Sequence, residues 1–292
     1  MTKDCVETRR PKGRWYGVIL LWAILLCTPI AWAEPTTLRI GYVEFPPYEY
    51  QDEQGNAAGS FIELTRLVAK EAGYRPEFIY LPPSRLYLYL REGRIDLWPG
   101  LTYIPPLQGH VLTSKSTPML VELSAWHLKE TAPVARFDDL RDSRLILISG
   151  YTYGGLSTYL TRQPDIRLSY SSTHQSAVDM LRLKRGEYLL DYREPVEALG
   201  ATQSMDDLRH SFIRDCVTAW LFSMEQDKAE QFREDFDRAF ARLQARGELP
   251  VTPTSSETAL LPGFPMLPPH DLSARDNFVF SPGSNGEVVG SE

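Results

Sequence analysis

The stretch from Leu38 to Gly73 constrains the fold more than any other part of the chain. It begins with LRIGY, in which Leu38, Ile40 and Tyr42 alternate with polar or small residues and so predict a half-buried strand. The sequence FPPY follows at 45–48, and its prolines hold the flanking aromatic side chains on a preset turn. A rigid aromatic turn at the carboxyl end of a strand is where open α/β sheets bind small molecules.

A helix is predicted directly after this turn. Ser60 and Glu63 have the spacing of a capping box, and the apolar residues that follow share one helical face. Gly73 then supplies the end of the helix. A strand, a turn and a capped helix in this order are typical of an α/β unit.

Residues 1–33 are predicted to be a cleavable signal peptide. Basic residues precede an apolar run from Trp15 to Ile30, and Ala31-Trp32-Ala33 has the small-x-small pattern of a signal peptidase site. We therefore expect cleavage after Ala33 and a soluble mature chain in the periplasm.

Two other fates of the amino terminus are less favoured. An uncleaved membrane anchor would need a longer apolar run than this one, which Pro29 interrupts. A lipid anchor on Cys27 has weak support, because Leu26 precedes this cysteine where Gly or Ala would be expected.

The charge and the cysteine content exclude several classes of protein. The net charge is −7, and because residues 1–33 carry a net of +3, the mature chain has −10. Such an acidic chain is a poor nucleic-acid binder. The mature part keeps one cysteine, Cys216, which we interpret as a small buried apolar residue and not as a catalytic thiol. The scattered histidines show no ligand spacing, so we expect no metal and no cofactor.

One pattern of predicted elements occurs twice in the chain. In the first half a strand with an aromatic turn is predicted for LRIGYVEFPPY, and a helix, a glycine that ends it and a strand are predicted for LYLYLREGRIDLW. RLILISGYTYGG and SSTHQSAVDMLRLKRGEYLLDY repeat that order in the second half. Ser84 and Thr173 are candidate N-caps of the two helices, and Gly93 and Gly186 are predicted to follow their ends. Two similar α/β halves, each with a mainly parallel sheet, are therefore predicted.

Two extended segments are predicted to connect the halves as a hinge with a ligand cleft beside it. The last helix carries Phe232, Phe236, Phe240 and Leu243 at helical spacing, which indicates a core face. We expect a first part of lobe 1 at 34–122, lobe 2 at 123–216, a return to lobe 1 at 217–250 and a disordered tail at 251–292. A partner-binding role of the tail is the alternative, and no motif supports it.

With this order of motifs the chain resembles the periplasmic solute-binding proteins of family 3, the amino-acid-type receptors of ABC importers. The resemblance runs from about Leu38 to Leu249 and rests on IGYVEFPPYEYQDEQGNAAGSFIEL, LREGRIDLWPGLTYIPP, VLTSKSTPM, SGYTYGG and FDRAFARLQARGEL. It implies a two-lobed α/β fold of the periplasmic-binding-protein type II, with a two-strand hinge. It also implies a small-molecule ligand, a membrane permease as partner and a monomeric protein.

The resemblance also implies roles for particular residues. An aromatic residue that covers the ligand falls on Phe45, and Trp98 adds a further ring. The groups that bind a ligand carboxylate fall on Pro99, Gly100 and Thr102 in lobe 1, and on Gly150, Tyr151, Thr152 and Tyr153 in lobe 2. The acidic partner of the ligand amine falls on Glu194, with Asp191 as the alternative.

One departure from the family pattern affects the ligand. The arginine that clamps an α-carboxylate is replaced by Leu107. Arg85 is a candidate substitute for this arginine. The alternative, to which we give equal weight, is that Arg85 lies on the surface of a helix and has no role in binding. The amino-acid specificity of the family is therefore open for this chain.

Three functions are consistent with these residues. Capture of an amino acid or a related amine for an ABC permease is favoured. An enzyme on the same scaffold, of the cyclohexadienyl dehydratase type with Glu44 or Glu194 as general acid, is the first alternative. A soluble ligand sensor is the second. The sequence shows no Ser-His-Asp arrangement and no paired-carboxylate motif, so no catalytic residue is predicted.

Overall fold

The computed structural model describes residues 35–249 and 260–266. The predicted signal peptide and most of the predicted tail lie outside these ranges. The strands are β1 Thr37–Tyr42, β2 Tyr50–Gln51, β3 Ala57–Ala58, β4 Arg75–Tyr80, β5 Leu97–Leu101, β6 Val111–Thr113, β7 Leu120–Leu128, β8 Arg144–Ile148, β9 Arg167–Ser171, β10 Tyr188–Tyr192 and β11 Leu208–Ser223. The α-helices are α1 Ser60–Glu71, α2 Pro83–Arg91, α3 Leu156–Leu160, α4 His174–Arg182, α5 Arg193–Ala198 and α6 Ala229–Ala245.

Within the part of the chain that the structure describes, no helix combines the length and the hydrophobicity needed to cross a membrane.

The main sheet runs without a break through both halves of the chain. Its strand order is β4-β1-β5-β11-β7-β10-β8-β9, with β6 paired to β11 on the edge opposite β5. Strands β4, β1 and β5 are parallel to one another, and so are β10, β8 and β9. The two parallel groups define lobe 1 and lobe 2, which confirms the predicted two-lobed α/β fold.

Strands β7 and β11 form the hinge. β11 pairs antiparallel with β7 from Leu208 to Val217, and then with β5 of lobe 1 from Thr218 to Phe222. A register shift between Phe212 and Arg214 marks a β-bulge in β11, where the strand bends. The predicted two-strand connection is thus a pair of hydrogen-bonded strands.

The repetition seen in the sequence is also a repetition of topology. The order β1-α1-β4-α2-β5 in lobe 1 matches β8-α3-β9-α4-β10 in lobe 2. In both lobes the first strand of the series lies in the middle, and the last lies next to a hinge strand. Both aromatic turns therefore follow a central parallel strand and face the hinge.

The end of α1 is as predicted, but its start is not. Gly73, with φ 88°, follows the helix as the expected left-handed residue. The N-cap is Gly59 and not Ser60, and no side chain caps the helix. A Cβ at position 59 would lie 2.3 Å from the carbonyl oxygen of Tyr48. Close packing against the aromatic turn therefore selects glycine at this cap.

The helix α4 follows its predicted start and departs from its predicted end. Thr173 is the N-cap, and its side chain accepts a hydrogen bond from the Ser176 amide at 3.1 Å. The left-handed residue after the helix is Lys184, with φ 56°, so the prediction for Gly186 is wrong. A Cβ at Gly186 would lie 2.7 Å from Ile146, so packing against β8 is the reason for this glycine.

The start of α2 also differs from the prediction. Its N-cap is Pro82 and not Ser84, and Pro83 is the first helical residue. Proline suits that position because the first amides of a helix have no partner within it.

The core of lobe 1 is closed by the last helix. Phe236 is fully buried and Phe240 nearly so, as the aromatic stripe predicts. Both rings meet Trp220 of β11 edge to face, with centroids 5.5 Å apart. The indole Nε1 of Trp220 donates to the hydroxyl of Thr65 on α1 at 2.9 Å, so the buried ring has its polar group satisfied.

Residues 260–266 pack on lobe 2, and we call them the C-terminal clasp. Leu260 forms an antiparallel bridge with Arg214, and the Leu261 amide donates to the Ile213 carbonyl at 2.9 Å. The ring of Phe264 is buried and meets Phe137 at 5.2 Å. For this segment the structure differs from the expected disordered tail, because the β-bulge in β11 exposes backbone groups that the clasp pairs.

Replacing Phe264 by alanine tests the clasp. The Phe264→Ala variant is expected to lose about 3 kcal/mol of unfolding free energy, since it removes a buried ring from the lobe 2 core. Urea denaturation measures the loss. Met266→Ala is the matched control, because Met266 is 81% exposed and its removal should change stability by less than about 0.5 kcal/mol. Equal stabilities of the two variants would contradict the docking of this segment.

Candidate functional site

A pocket lies between the lobes where β11 passes from β7 to β5. Lobe 1 lines it with residues of the 43–49 turn and with Tyr87 and Trp98, and lobe 2 lines it with Tyr151, Thr152 and Tyr192. The space between these side chains is about 530 Å³, part of it open to solvent.

The turn after β1 closes on itself and presents its rings to both lobes. The Phe45 amide donates to the Glu49 carbonyl at 2.7 Å, and the Glu49 amide donates to the Phe45 carbonyl at 3.0 Å. The Phe45 ring stacks on Tyr48 at 5.7 Å and meets Tyr192 of lobe 2 edge to face at 5.1 Å. The predicted aromatic turn therefore reaches across the cleft.

The same turn buries a carboxyl group in the pocket. Glu49 is only 2% exposed, and its Oε2 accepts a hydrogen bond from the Val43 amide at 3.2 Å. Burial raises the pKa of the Glu49 carboxyl well above its ordinary value of 4.5. None of the residues that line the pocket, all within 43–218, is Lys, Arg or His.

The turn after β8 supplies the lobe 2 side of the pocket. Gly150, Tyr153, Gly154 and Gly155 all have positive φ, which gives a tightly coiled backbone. The Tyr153 ring is buried in lobe 2, where its hydroxyl accepts a hydrogen bond from the Ile148 amide at 2.6 Å. Arg214 of β11 donates to the Tyr153 carbonyl from the other side. These bonds fix the turn so that residues 151 and 152 face the cleft.

Two buried polar atoms in the pocket wall have no hydrogen-bond partner among the described residues. They are Thr152 Oγ1 and Tyr192 Oη, and both residues line the pocket. The Trp98 indole, which also lines it, faces the Glu49 carboxyl and hydrogen-bonds it. Buried polar groups without partners are rare and costly in proteins. A polar solute in the pocket is a natural source of the missing hydrogen bonds.

A chain of hydrogen bonds joins the lobes beside the pocket, and we call it the latch. Asp191 Oδ2 lies 2.7 Å from His174 Nδ1, and His174 Nε2 lies 3.3 Å from the Tyr151 hydroxyl. That hydroxyl donates to the Glu44 carbonyl of lobe 1 at 2.9 Å. His174 must then donate from both ring nitrogens, which requires the imidazolium form.

The surroundings of His174 favour that form. Burial by itself lowers the pKa of His174, but the charge and the hydrogen bond of Asp191 outweigh it, so the pKa is raised above 6.5. Stability from this pair is therefore full below 6.5 and is lost as the pH rises through the raised pKa.

The pocket gathers only some of the residues predicted from the sequence. Phe45, Trp98, Gly100, Tyr151 and Thr152 line it. Gly100 is there because a Cβ would lie 2.2 Å from the Trp98 ring, which folds back over β5.

The other predicted residues lie elsewhere. Gly150 and Tyr153 shape the lobe 2 turn, Pro99 and Thr102 lie in or just after β5, and Asp191 is fully buried against His174. Glu194, in the first turn of α5, does not line the pocket, and Arg85 is exposed on α2. Leu107 is fully buried in the lobe 1 core.

Sequence reasoning missed Glu49, Tyr192 and His174. A glutamate between two tyrosines gives no signal of burial, because charged residues are usually exposed. Tyr192 ends a predicted strand, so its position at the pocket end of β10 was the available signal. Within the described ranges, no group of His, Cys, Asp or Glu side chains is arranged to hold a metal ion.

Comparison with known families and structures places this geometry in context. A family model described as bacterial extracellular solute-binding proteins, family 3, matches residues 38–251. No curated protein gave a significant sequence match.

Many solved structures share the fold. A histidine kinase sensor domain with similarity to periplasmic binding proteins has a TM-score of 0.65 at 20% identity, over 74% of this chain and 93% of that chain. An ancestral arginine-binding protein bound to arginine has a TM-score of 0.62 at 18% identity, over 74% of this chain and 95% of that chain. A substrate-binding protein of an ABC uptake transporter from Streptococcus pneumoniae with bound histidine has a TM-score of 0.62 at 20% identity, over 73% of this chain and 88% of that chain. At these identities the likeness shows the periplasmic-binding-protein type II fold alone.

Removing the Tyr151 hydroxyl tests the latch. In Tyr151→Phe the bonds to the Glu44 carbonyl and from His174 are lost, so the ratio of open to closed forms should rise about fivefold, as the loss of about 1 kcal/mol implies. Spin labels at the exposed positions Leu88 and Leu183, one in each lobe, report the distance distribution. In the protein with Tyr151 intact, the wider distances should grow as the pH rises above 6.5.

The control for the latch is Tyr170→Phe, since Tyr170 is a lobe 2 tyrosine that is 53% exposed. A distance distribution in Tyr151→Phe that matches this control at every pH would show that the latch does not hold the lobes together.

Replacing Glu49 by glutamine tests its burial. Because the folded-state pKa of Glu49 is raised, the folded protein binds more protons than the unfolded chain above pH 4.5, and stability falls as the pH rises. Glu49→Gln removes this loss, so its Tm at pH 8 should exceed that of the parent by at least about 3 °C.

The difference in Tm should vanish below pH 4.5, where the carboxyl is protonated in both the folded and the unfolded state. Glu53→Gln, an exposed change in the hairpin loop, is the control and should leave Tm unchanged at both pH values. A Glu49→Gln variant less stable than the parent at pH 8 would contradict the raised pKa.

Proposed function

Since the chain belongs to the bacterial extracellular solute-binding proteins of family 3, we propose that it captures one small solute in the pocket between its lobes and delivers it to the permease of an ABC importer. The observation that carries the proposal is the convergence of Thr152 Oγ1 and Tyr192 Oη, buried and without partners, on one pocket. Both atoms belong to lobe 2, and Phe45 and Trp98 of lobe 1 line the same pocket, so a solute that bonds to the two hydroxyls also contacts lobe 1 and favours the closed arrangement.

The contacts follow from the geometry of the pocket. Phe45 and Trp98 cover the apolar part of the solute, the missing side chain of Gly100 leaves room for the indole, and Tyr151 and Thr152 contribute from lobe 2. Gly150, Tyr153 and Asp191 act indirectly, by holding the turn and His174. Pro99, Thr102, Arg85 and Glu194 stay outside this set, because they do not line the pocket.

Delivery to a membrane partner rests on the family and on the signal peptide expected at 1–33. We propose that the chain works in the periplasm as a monomer, and that closure around the solute creates the surface that the permease recognises. The arginine- and histidine-bound neighbours suggest a nitrogen-containing solute of similar size.

A soluble sensor is the second candidate. The observation that favours it is the likeness to a histidine kinase sensor domain, which has the same fold over 93% of its length. Capture of a solute is common to both functions, and only the partner differs.

A thermal-shift screen tests capture. Amino acids, amines, short peptides and aromatic acids are added to the purified mature chain, and at least one is expected to raise Tm by mass action. The hit must be recovered unchanged, since consumption of the solute would instead indicate an enzyme.

Two variants tie a hit to the pocket. Thr152→Val and Tyr192→Phe each remove a hydroxyl that has no partner, so the stability without solute should not fall, while affinity for the hit should fall about threefold to tenfold. Tyr159→Phe, a lobe 2 change away from the pocket, is the control. Full affinity in both hydroxyl variants would place the solute elsewhere.

A further inference from the structure

The charges of the pocket indicate which class of solute it accepts. We propose that the solute is an organic cation, an amine with an apolar or aromatic body and no carboxylate, and that Glu49 holds its positive charge. This inference rests on the proposed function and names the substrate class of the same pocket.

A solute carboxylate has no counter-charge in this pocket. Leu107, at the position where the family resemblance implies an arginine, is fully buried in the apolar core. Arg85 is exposed and does not line the pocket, and Arg214 donates to the Tyr153 carbonyl behind the lobe 2 turn. A carboxylate placed here would lose its hydration without gaining an ion pair, which is strongly unfavourable.

Glu49 is suited to a cation. It is only 2% exposed, it lines the pocket, and it accepts hydrogen bonds from the Val43 amide and the Trp98 indole, both of which are neutral donors. No basic side chain is among the groups that act on its carboxyl. Burial favours the protonated carboxyl, and an ammonium group bound beside it would favour the carboxylate instead, because its positive charge takes the place of the proton.

Aromatic rings surround the same carboxyl. Tyr87 and Trp98 lie with their ring centroids 5.7 Å apart, and both residues line the pocket with Glu49 and Tyr151. Ring faces attract cations, and the attraction is stronger where water is excluded. The hydroxyls of Thr152 and Tyr192 are acceptors in the same pocket, which matters because an ammonium group has further N–H donors to satisfy.

The remainder of the wall is apolar and suits a body without further charge. Val43, Ile104, Met119 and Val121 contribute aliphatic or thioether surface. A ring or a short alkyl chain is therefore expected beyond the amine.

Four probes with one ring and different head groups test the inference by isothermal titration calorimetry. They are phenethylamine, phenylalanine, 3-phenylpropionate and 2-phenylethanol. We expect phenethylamine to bind, phenylalanine and the neutral alcohol to bind at least tenfold more weakly, and the anion not to bind.

Three variants identify the carboxyl. Glu49→Gln should weaken phenethylamine binding at least tenfold, whereas the control Glu53→Gln, an exposed change in the hairpin loop, should change it less than twofold. Glu194→Gln tests the competing carboxyl, because the Glu194 side chain hydrogen-bonds Tyr48 of the pocket, and a smaller loss than in Glu49→Gln is expected. The Glu49→Gln protein is expected to fold, and its thermal melt provides the check.

Proton release gives a readout that a structural role would not move. In buffers of different ionisation enthalpy, phenethylamine binding to the parent near neutral pH should release a proton from Glu49, and binding to Glu49→Gln should release none.

The outcomes separate this inference from the proposed function. Tighter binding of phenylalanine, the acid or the alcohol than of the amine overturns the inference and leaves capture intact, as does a loss in Glu194→Gln instead of Glu49→Gln. If phenethylamine does not bind while another class of solute binds in the thermal-shift screen, the inference is likewise overturned and the capture function stands. If no solute in either set binds, both the capture function and the inference fail.

Discussion

The structure depends on the backbone hydrogen bonding of one strand, β11. Up to Val217 this strand pairs with β7, and from Thr218 it pairs with β5 of lobe 1. The Thr102 amide donates to the Val217 carbonyl at 3.0 Å at this change of partner. Thr218 also lines the pocket, so the cleft lies where the strand leaves one partner for the other, and the sheet stays continuous beneath it.

Two buried carboxyl groups near the cleft have opposite surroundings. Asp191 has His174 as a partner at 2.7 Å, and such a pair offsets the cost of removing charge from water only when both members are well bonded. Glu49 has a backbone amide and aromatic neighbours instead. The paired group holds the lobe 2 wall in place, and the group without a cation gives the pocket its preference for positive charge.

Much of the fold was predictable because it follows from local patterns. Strand alternation, the FPPY turn, the Thr173 cap and the Phe236 stripe each act over a few residues, and the structure has all of them. The predictions for Ser60 and Gly186 failed because packing across the chain, against Tyr48 and Ile146, decides those positions. No local pattern records such contacts.

The site was less predictable for a similar reason. The family resemblance indicated the two turns that carry Phe45 and Tyr151, but it gave no information on which neighbouring side chains are drawn inward. Glu49 is buried only because the turn folds back on Phe45 and places the carboxyl next to Trp98. Phe264 likewise packs on lobe 2 from a segment rich in proline, whose composition indicates disorder.

The late position of α6 in the chain has a consequence for the order in which the protein acquires its structure. The first strand and the last helix share one core, which includes Leu38, Ile40, Phe236 and Phe240. Strand β5 of lobe 1 also pairs with β11, the last strand of the sheet along the chain. During synthesis lobe 1 stays incomplete until α6 has left the ribosome, and lobe 2 receives the C-terminal clasp later still. Neither lobe therefore reaches its full stability before the last described segment of the chain has been made.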